Sequence, residues 1–98
     1  MRSARIAHDK DNDMRRKGTI AIIDPDQGAA AILTADYGYT IIELDPDWPV
    51  EIGDRIEWEN GDGLGFETYE NMSKGTRGDV FVQNHDVDEK SLRLQFGH

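Results

Sequence analysis

The sequence predicts an all-β fold, a small barrel or sandwich built from short strands. From Gly18 onward, runs of β-branched and apolar residues alternate with clusters of Gly, Pro and Asp, a pattern typical of strands joined by tight turns. No segment has the periodicity of a long helix, and no internal repeat is present. A chain of 98 residues suffices for one domain with a thin core.

Six runs carry the strand signal, and turn residues separate them. They are residues 19–23, 29–34, 39–44, 52–59, 64–69 and 79–83. Pro25 and Gly28 mark the first turn, and the Asn60-Gly61-Asp62-Gly63 sequence is a strong hairpin signal. Residues 65–71 mix aromatic and polar side chains, so this segment forms either an edge strand or a recognition loop.

The tail at residues 86–96 fits two structures. Asp86 followed by Glu89 has the spacing of a capping box, which predicts a short helix. Leu92, Leu94 and Phe96 alternate with polar residues, which favours an extended segment instead. We expect a short helix of one or two turns, with an extended tail as the alternative.

Charge divides the chain into two parts. Residues 1–17 carry six basic and three acidic residues, whereas the other 81 carry 5 basic and 17 acidic residues. We therefore predict a flexible basic arm at residues 1–16, followed at residues 17–98 by the acidic barrel and its C-terminal tail. The formal net charge of -9 argues against a protein that binds polyanions by charge alone.

Composition also excludes several kinds of site. The chain has no Cys, so it can form neither a disulfide nor a zinc site built on sulfur. It has no apolar run long enough for a signal peptide or a membrane span, so we expect a cytoplasmic protein without a membrane partner. We expect no cofactor, no metal and no enzymatic activity, and we expect His85 to be a hydrogen-bonded turn residue.

Part of the sequence resembles the bacterial cold-shock domain. Residues 17–24 read Lys-Gly-Thr-Ile-Ala-Ile-Ile-Asp and residues 27–32 read Gln-Gly-Ala-Ala-Ala-Ile. That family opens with Lys-Gly-x-Val-x-Trp-Phe-Asn and continues with Lys-Gly-Phe-Gly-Phe-Ile. Residues 41–44, 52–58 and 74–76 follow where its later strands fall, with an additional piece at residues 60–73. The resemblance implies a small five-stranded OB-type β-barrel.

The family's ligand is not implied as readily as its fold. Barrels of this type bind single strands through aromatic platforms for the bases and a basic groove for the phosphates. The matching positions are aliphatic here: Ile22, Ala29, Ala31, Ile42 and Leu44. Because each stacked base contributes about 1–3 kcal/mol, the loss of several platforms removes most of the affinity of such a face.

An aliphatic sheet face needs a cover, and the sequence leaves three possibilities open. Leu92, Leu94 and Phe96 of the tail could fold over it, or a protein partner or second subunit could dock there. Alternatively these residues are core, since a shift of one residue in strand facing inverts the pattern. Trp48, in a loop between Asp47 and Pro49, either joins the interface or packs over one end of the barrel.

Two functions follow as expectations. The first is a non-catalytic acidic module that binds a protein, or itself as a homodimer, through Ile22, Ala29, Ala31, Ile42, Leu44 and Trp48. The alternative is single-stranded nucleic-acid binding through the basic arm and replacement aromatics, that is, through Arg15, Arg16, Lys17, Tyr37, Tyr39, Phe66 and Tyr69.

Overall fold

The described part of the chain forms a closed, antiparallel β-barrel with one short helix after the last strand. The computed structural model describes residues 15–35 and 38–96. The strands are β1 (Arg16–Asp24), β2 (Ala29–Thr34), β3 (Tyr39–Leu44), β4 (Arg55–Trp58), β5 (Gly65–Asn71) and β6 (Thr76–Val87), and the helix is α1 (Glu89–Phe96). Around the barrel the order is β1-β2-β3-β6-β5-β4. The predicted all-β barrel is confirmed, and residues 1–14 of the predicted arm lie outside the described residues.

The barrel has six strands where the resemblance implied five. The additional strand is β5, from the piece at residues 60–73 that has no counterpart in the cold-shock pattern. It pairs with β6 over seven residue pairs, from Gly65↔Val82 to Asn71↔Thr76. It is therefore a strand of the closed barrel rather than a recognition loop, paired with β6 along its full length and with β4 at two residue pairs near its C-terminal end.

The barrel interior holds the larger core. It contains ten buried residues, Ile20, Ala30, Ile32, Ile42, Trp48, Ile56, Trp58, Tyr69, Val80 and Val82. Trp58 and Tyr69 stack with their ring centroids 4.3 Å apart and their planes within 3°. Side chains alternate across each strand, so the neighbours of these residues point to the outside of the wall.

A smaller core forms on the outside of the wall, where α1 packs against β2 and β3. Leu92 and Phe96, four residues apart on one side of the helix, join Ala29, Ala31 and Ile41 there. Leu94 points away and is 80% exposed. The predicted helix is confirmed, and the extended alternative is not formed.

The helix is capped by Asp88, two residues later than the predicted cap Asp86, and begins at Glu89. Asp88 accepts a hydrogen bond from the Ser91 backbone N–H at 2.7 Å, and this bond lowers the pKa of the Asp88 carboxyl. Asp86 instead has a left-handed backbone, with φ of 56°, at the irregular end of β6. The sequence has an acidic residue at both Asp86 and Asp88, so which of the two caps the helix depends on where β6 ends.

A buried carboxylate, that of Asp54, joins several segments at the end of the barrel nearest the β5–β6 turn. Asp54 Oδ2 accepts hydrogen bonds from Asn71 Nδ2 at 2.8 Å and the Glu51 backbone N–H at 2.9 Å, and Lys74 Nζ lies 3.0 Å away. Burial by itself would raise the pKa of Asp54. The hydrogen bonds from Asn71, Lys74 and Glu51 outweigh it, so the pKa lies below its ordinary value.

The contribution of α1 to stability is tested by two leucines of the same helix. We expect Leu92→Ala to lower the free energy of unfolding by about 2–4 kcal/mol, because the truncation leaves a cavity against β2 and β3. Leu94→Ala, at an exposed position of that helix, should change it by less than about 0.5 kcal/mol. Urea unfolding of both variants measures the difference. Equal losses would contradict the packing of the Leu92 side chain against the wall.

Acid unfolding tests the Asp54 network. A carboxyl whose pKa is lowered in the folded state stabilises the protein above its unfolded pKa of about 4, and this stabilisation is lost as the pH falls further. Asp54→Asn should therefore have a lower free energy of unfolding than the unmodified chain at pH 7. The difference between the two free energies should become smaller towards pH 2.5. Urea unfolding at a series of pH values measures it. Asp26→Asn, at an exposed turn position, is the control. A difference in the free energy of unfolding for Asp54→Asn that does not change with pH would refute the network.

Candidate functional site

The six residues of the predicted protein interface do not share a surface. Ile42 and Trp48 are buried in the barrel interior, and Leu44 packs against that core. In β3 it is Ile41 and Glu43 that face outward, so the expected facing of this strand was shifted by one residue. Ile42, which is 0% exposed, Leu44 and Trp48 are corrected from interface to core, the third of the possibilities the sequence left open.

The other three residues lie on the outside of the wall but are already covered. Ala29 and Ala31 are buried beneath α1, and Ile22 packs at the margin of the same cluster. A register shift between Ile20 and Ile22 in β1 changes which residues face inward, and so brings Ile22 to the outer side. The cover is the chain's own tail, through Leu92 and Phe96, so this patch is not free to bind a partner.

Trp48 closes one end of the barrel. Its indole Nε1–H donates to Thr76 Oγ1 at 3.2 Å, and the ring lies directly over Gly78. A Cβ built on Gly78 would come within 2.2 Å of the Trp48 ring, so the strand accepts this ring only because residue 78 has no side chain. Trp48 therefore packs over one barrel end, which was the alternative to an interface role.

The residues of the predicted nucleic-acid site are dispersed and mostly engaged. Tyr69 is 0% exposed, Tyr39 packs against the cluster under α1, and Tyr37 lies outside the described residues. Arg15 and Arg16 form ion pairs with acidic side chains of the barrel. Of the set, Lys17 and Phe66 are exposed, on different strands.

His85 lies in β6 rather than in a turn, and both its ring nitrogens have partners. Nδ1 is 2.9 Å from Thr40 Oγ1, and Nε2 is 3.0 Å from the Gly63 carbonyl oxygen. Since a carbonyl oxygen only accepts, Nε2 carries a proton and donates to it. The centroid of the His85 ring also lies 6.3 Å from that of the Trp58 ring, so neighbours on three sides fix the position of His85.

An exposed aromatic pair lies on the outer side of β5 and β6. Phe66 and Phe81 face each other across the two strands, with centroids 5.0 Å apart in an edge-to-face arrangement. Phe66 is 83% exposed and Phe81 is 37% exposed. Thr68 and Asp79 form the next outward pair, joined by a hydrogen bond of 3.0 Å. We call these four residues the β5–β6 face.

Acidic and amide groups border the β5–β6 face on the side nearest β3 and α1. Glu43 lies opposite Phe81 on β3 and accepts a hydrogen bond from Gln83 at 2.7 Å. Gln83 in turn accepts one from Gln95 of α1 at 3.1 Å. This row marks the limit of the helix's cover, so beyond it the aromatic pair is uncovered by any described part of the chain.

Sequence reasoning found Phe66 but missed Phe81 and the shared face. The signal was present in the alternation of residues 79–83, in which Val80 and Val82 occupy the inward positions and Phe81 is left outward. What the sequence could not supply is the register that sets Phe81 opposite Phe66. That register follows from the pairing of β5 with β6 along their full common length.

A groove of about 420 Å³ opens in the wall beside this face. β4 and β5 pair only at Ile56↔Asn71 and Glu57↔Glu70, and the strands separate beyond these pairs. Glu59, Glu67 and Glu70 line the groove, together with Arg77 and Thr68 among others. Thr68 belongs both to the groove and to the β5–β6 face, so the two features are continuous.

Arg15 binds at the rim of the groove. Its Nε donates to Glu57 at 2.8 Å and one of its terminal nitrogens donates to Glu70 at 2.8 Å. These bonds, the one to Glu70 foremost, raise the pKa of the guanidinium, and the bond from Arg15 lowers the pKa of Glu70. Glu59 lies further from the same guanidinium, at 3.8 Å.

Neither a metal centre nor a membrane helix is found in the part of the chain that the structure describes. Its His, Asp and Glu side chains form no group of three or more placed to hold a metal ion. Its helix, α1, is too short to cross a bilayer.

The Tyr69 hydroxyl is buried without a hydrogen-bond partner. Burial raises the pKa of this phenol, with the charge of Glu67 adding to the effect and Arg16 opposing it. Because an unpaired buried hydroxyl costs free energy, Tyr69→Phe should stabilise the protein by about 1 kcal/mol. Urea unfolding measures this, with Tyr39→Phe as the control at a half-buried position. A loss of stability in Tyr69→Phe would mean that the hydroxyl has a partner.

Comparison with known proteins adds no relative to these observations. No protein-family model, no curated protein and no solved structure matches the chain.

Proposed function

We propose that the protein is a non-catalytic binding module whose β5–β6 face docks a positively charged protein partner. The observation that carries the proposal is the exposure of Phe66 and Phe81 in mutual contact on the outer side of the barrel. Phe66 leaves 83% of its surface in water, although burial of an aromatic side chain stabilises by several kcal/mol. Aromatic side chains held in place at low entropic cost are the usual anchors of protein interfaces.

Charge argues for the kind of partner. The chain has a formal net charge of -9, and the acidic residues Glu43 and Asp79 lie beside the aromatic pair on the same side of the wall. A second copy of the chain would bring like charges together, whereas a basic partner is attracted to this surface. The same charges repel a nucleic-acid backbone, so we favour protein over single-stranded RNA or DNA.

The proposal moves the binding surface away from the aliphatic face predicted from the sequence. Burial of Ala29 and Ala31 beneath α1, and of Ile42 in the interior, supports that move. His85, whose two ring nitrogens are both engaged, supports a structural rather than a catalytic role for this residue. A relationship to cold-shock domains and a cytoplasmic location remain predictions.

Selection from a displayed library of random peptides tests the proposal. The full chain is immobilised and selected peptides are sequenced, in parallel with Phe66→Ser and with the control Leu94→Ser. Leu94 is similarly exposed, at 80%, but lies on α1. We expect the unmodified chain and Leu94→Ser to enrich the same peptides, rich in basic and apolar residues. Phe66→Ser should lose them, because the anchor of the interface is gone.

Two results would overturn the proposal. One is the absence of any enriched peptide, and the other is enrichment that persists unchanged in Phe66→Ser. Fluorescence anisotropy with labelled single-stranded RNA and DNA at low salt tests the nucleic-acid alternative. The nucleic-acid alternative would be established instead if no peptide is enriched and these oligomers bind in a way that weakens with salt and requires Lys17.

A further inference from the structure

We infer that the partner of the β5–β6 face docks as an extended strand, which hydrogen-bonds to the free backbone edge of β5 at Phe66 and Thr68. This inference rests on the proposed function and specifies the conformation of the docked segment. Two observations carry it. The backbone of these two residues has no neighbouring strand on one side, and the exposed Phe66 side chain lies at that same edge.

Most of β5 is paired on one side only. It pairs with β6 at all seven of its residues, but with β4 only at the last two. In the loop after β4, the Asn60 carbonyl oxygen accepts a hydrogen bond from the Gly63 N–H at 3.0 Å, and the Gly61 carbonyl oxygen accepts one from the Trp58 indole at 3.1 Å. The loop therefore does not continue the ladder beside β5.

The backbone groups of Phe66 and Thr68 point towards the gap that results. In an antiparallel ladder the N–H and C=O groups of successive residues point alternately to the two neighbouring strands. Met72, the residue after β5, donates its N–H to the Arg55 carbonyl oxygen of β4 at 2.7 Å. Counting back in steps of two, Thr68 and Phe66 face the same way. In the part of the chain that the structure describes, no group hydrogen-bonds to their backbone on this side.

The edge has room for an additional strand. A groove of about 420 Å³ lies between the end of β4 and this part of β5, since Trp58, Glu59 and Thr68 line it. An unpaired sheet edge with space beside it is where an extended peptide adds a strand. A docked helix could not make these hydrogen bonds, because its own backbone groups are paired with one another.

A missing neighbour also explains why the two aromatic side chains differ in exposure. Phe81 lies between Glu43 on β3 and Phe66 on β5, and it is 37% exposed. Phe66 has Phe81 on one side and no residue of a described strand on the other, and it is 83% exposed. Residues directly opposite on adjacent strands share a side of the sheet. An apolar residue of the added strand, placed opposite Phe66, would therefore extend the aromatic row and bury the exposed ring.

Charge favours a basic partner over a second copy of the chain at this edge. If two copies paired antiparallel with Phe66 of each opposite Thr68 of the other, their Glu67 side chains would lie directly opposite one another. Like charges in that arrangement destabilise a strand pair. Each copy also has a formal net charge of -9. A basic segment avoids both kinds of repulsion and is attracted to the acidic surface.

The first test uses the peptide that is most strongly enriched on the unmodified chain and depends on Phe66. It is synthesised as a series in which one backbone N–H at a time is methylated, and each dissociation constant for the full chain is measured. In an added strand, alternate N–H groups point to β5. We therefore expect methylation to weaken binding about tenfold or more at two positions separated by one residue, and to have little effect at the residue between them.

The second test removes a donor from the edge itself. Thr68→Pro lacks the N–H that faces the gap, and Thr68→Ala is the matched control, since both lose the hydroxyl bond to Asp79. Proline is tolerated at a sheet edge where the N–H has no partner. We expect Thr68→Ala to keep the affinity for the peptide and Thr68→Pro to bind it about tenfold more weakly or worse. If Thr68→Pro does not fold, the methylated peptides decide.

Hydrogen exchange of the full chain, followed by NMR, tests the edge without a peptide. The N–H groups of Phe66 and Thr68 should exchange faster than those of Glu67 and Tyr69, which point to β6. Bound peptide should slow the exchange of the first pair. Slow exchange of that pair without peptide overturns the inference. If it is independent of protein concentration, another segment of the chain fills the edge, and if it increases with concentration, a second copy does.

The outcomes separate this inference from the proposal beneath it. Phe66-dependent peptides that show no alternation on methylation overturn the inference and leave the proposed function standing. Equal affinity of the peptide for Thr68→Pro and Thr68→Ala does the same. Absence of Phe66-dependent peptides overturns both.

Discussion

The burial of β2 on both of its sides is the constraint on which the rest of the structure depends. Ala30 and Ile32 face the barrel interior, while Ala29 and Ala31 face outward and are just as deeply buried. A strand that is apolar on both faces needs a second layer, and in a chain of this length α1 supplies it. The small side chains of Ala29 and Ala31 allow the helix to approach the wall closely, so that Leu92 and Phe96 complete the cluster.

The same arrangement leaves Phe66 and Phe81, on the adjacent strands β5 and β6, outside the cover of α1. A helix of eight residues is about 12 Å long, so it covers part of one sheet and no more. Its cover ends at the row of Glu43, Gln83 and Gln95, and Phe66 and Phe81 lie beyond that row. Their exposure is thus not a consequence of a missing core, because β5 and β6 already fill the interior with Tyr69, Val80 and Val82.

Charged side chains are paired in one region of the barrel and incompletely paired in another. At one end Asp54 and Lys74 are paired and partly buried, which ties the loop before β4 to the turn after β5. Along the gap between β4 and β5 the pairing is incomplete, and Glu59 and Glu67 face water. The paired charges in the first region hold two loops together, whereas in the second region Glu59 has only a long ion pair with Arg15 and Glu67 accepts a hydrogen bond from a neutral amide.

Several features could be predicted from the sequence because they depend on neighbours along the chain. The strand runs, the turns at Pro25 and Gly28 and the short helix all follow from local patterns of residue type. The facing of β3 could not, because Ile41 and Ile42 are chemically equivalent and only pairing with β2 and β6 decides which one points inward. Phe81 was missed for a related reason, since its role depends on the strand that lies beside it.

By itself, then, the sequence determined an acidic β-barrel with a basic N-terminal segment and without an aromatic platform at the positions of a cold-shock domain. The tertiary structure alone decided that Ile42 and Trp48 belong to the interior core, that α1 covers Ala29 and Ala31, and that Phe66 and Phe81 are exposed side by side near an acidic groove. The physical reason is that alternation along a strand fixes which residues share a side. Which side is buried depends on register and on packing between segments far apart in the chain.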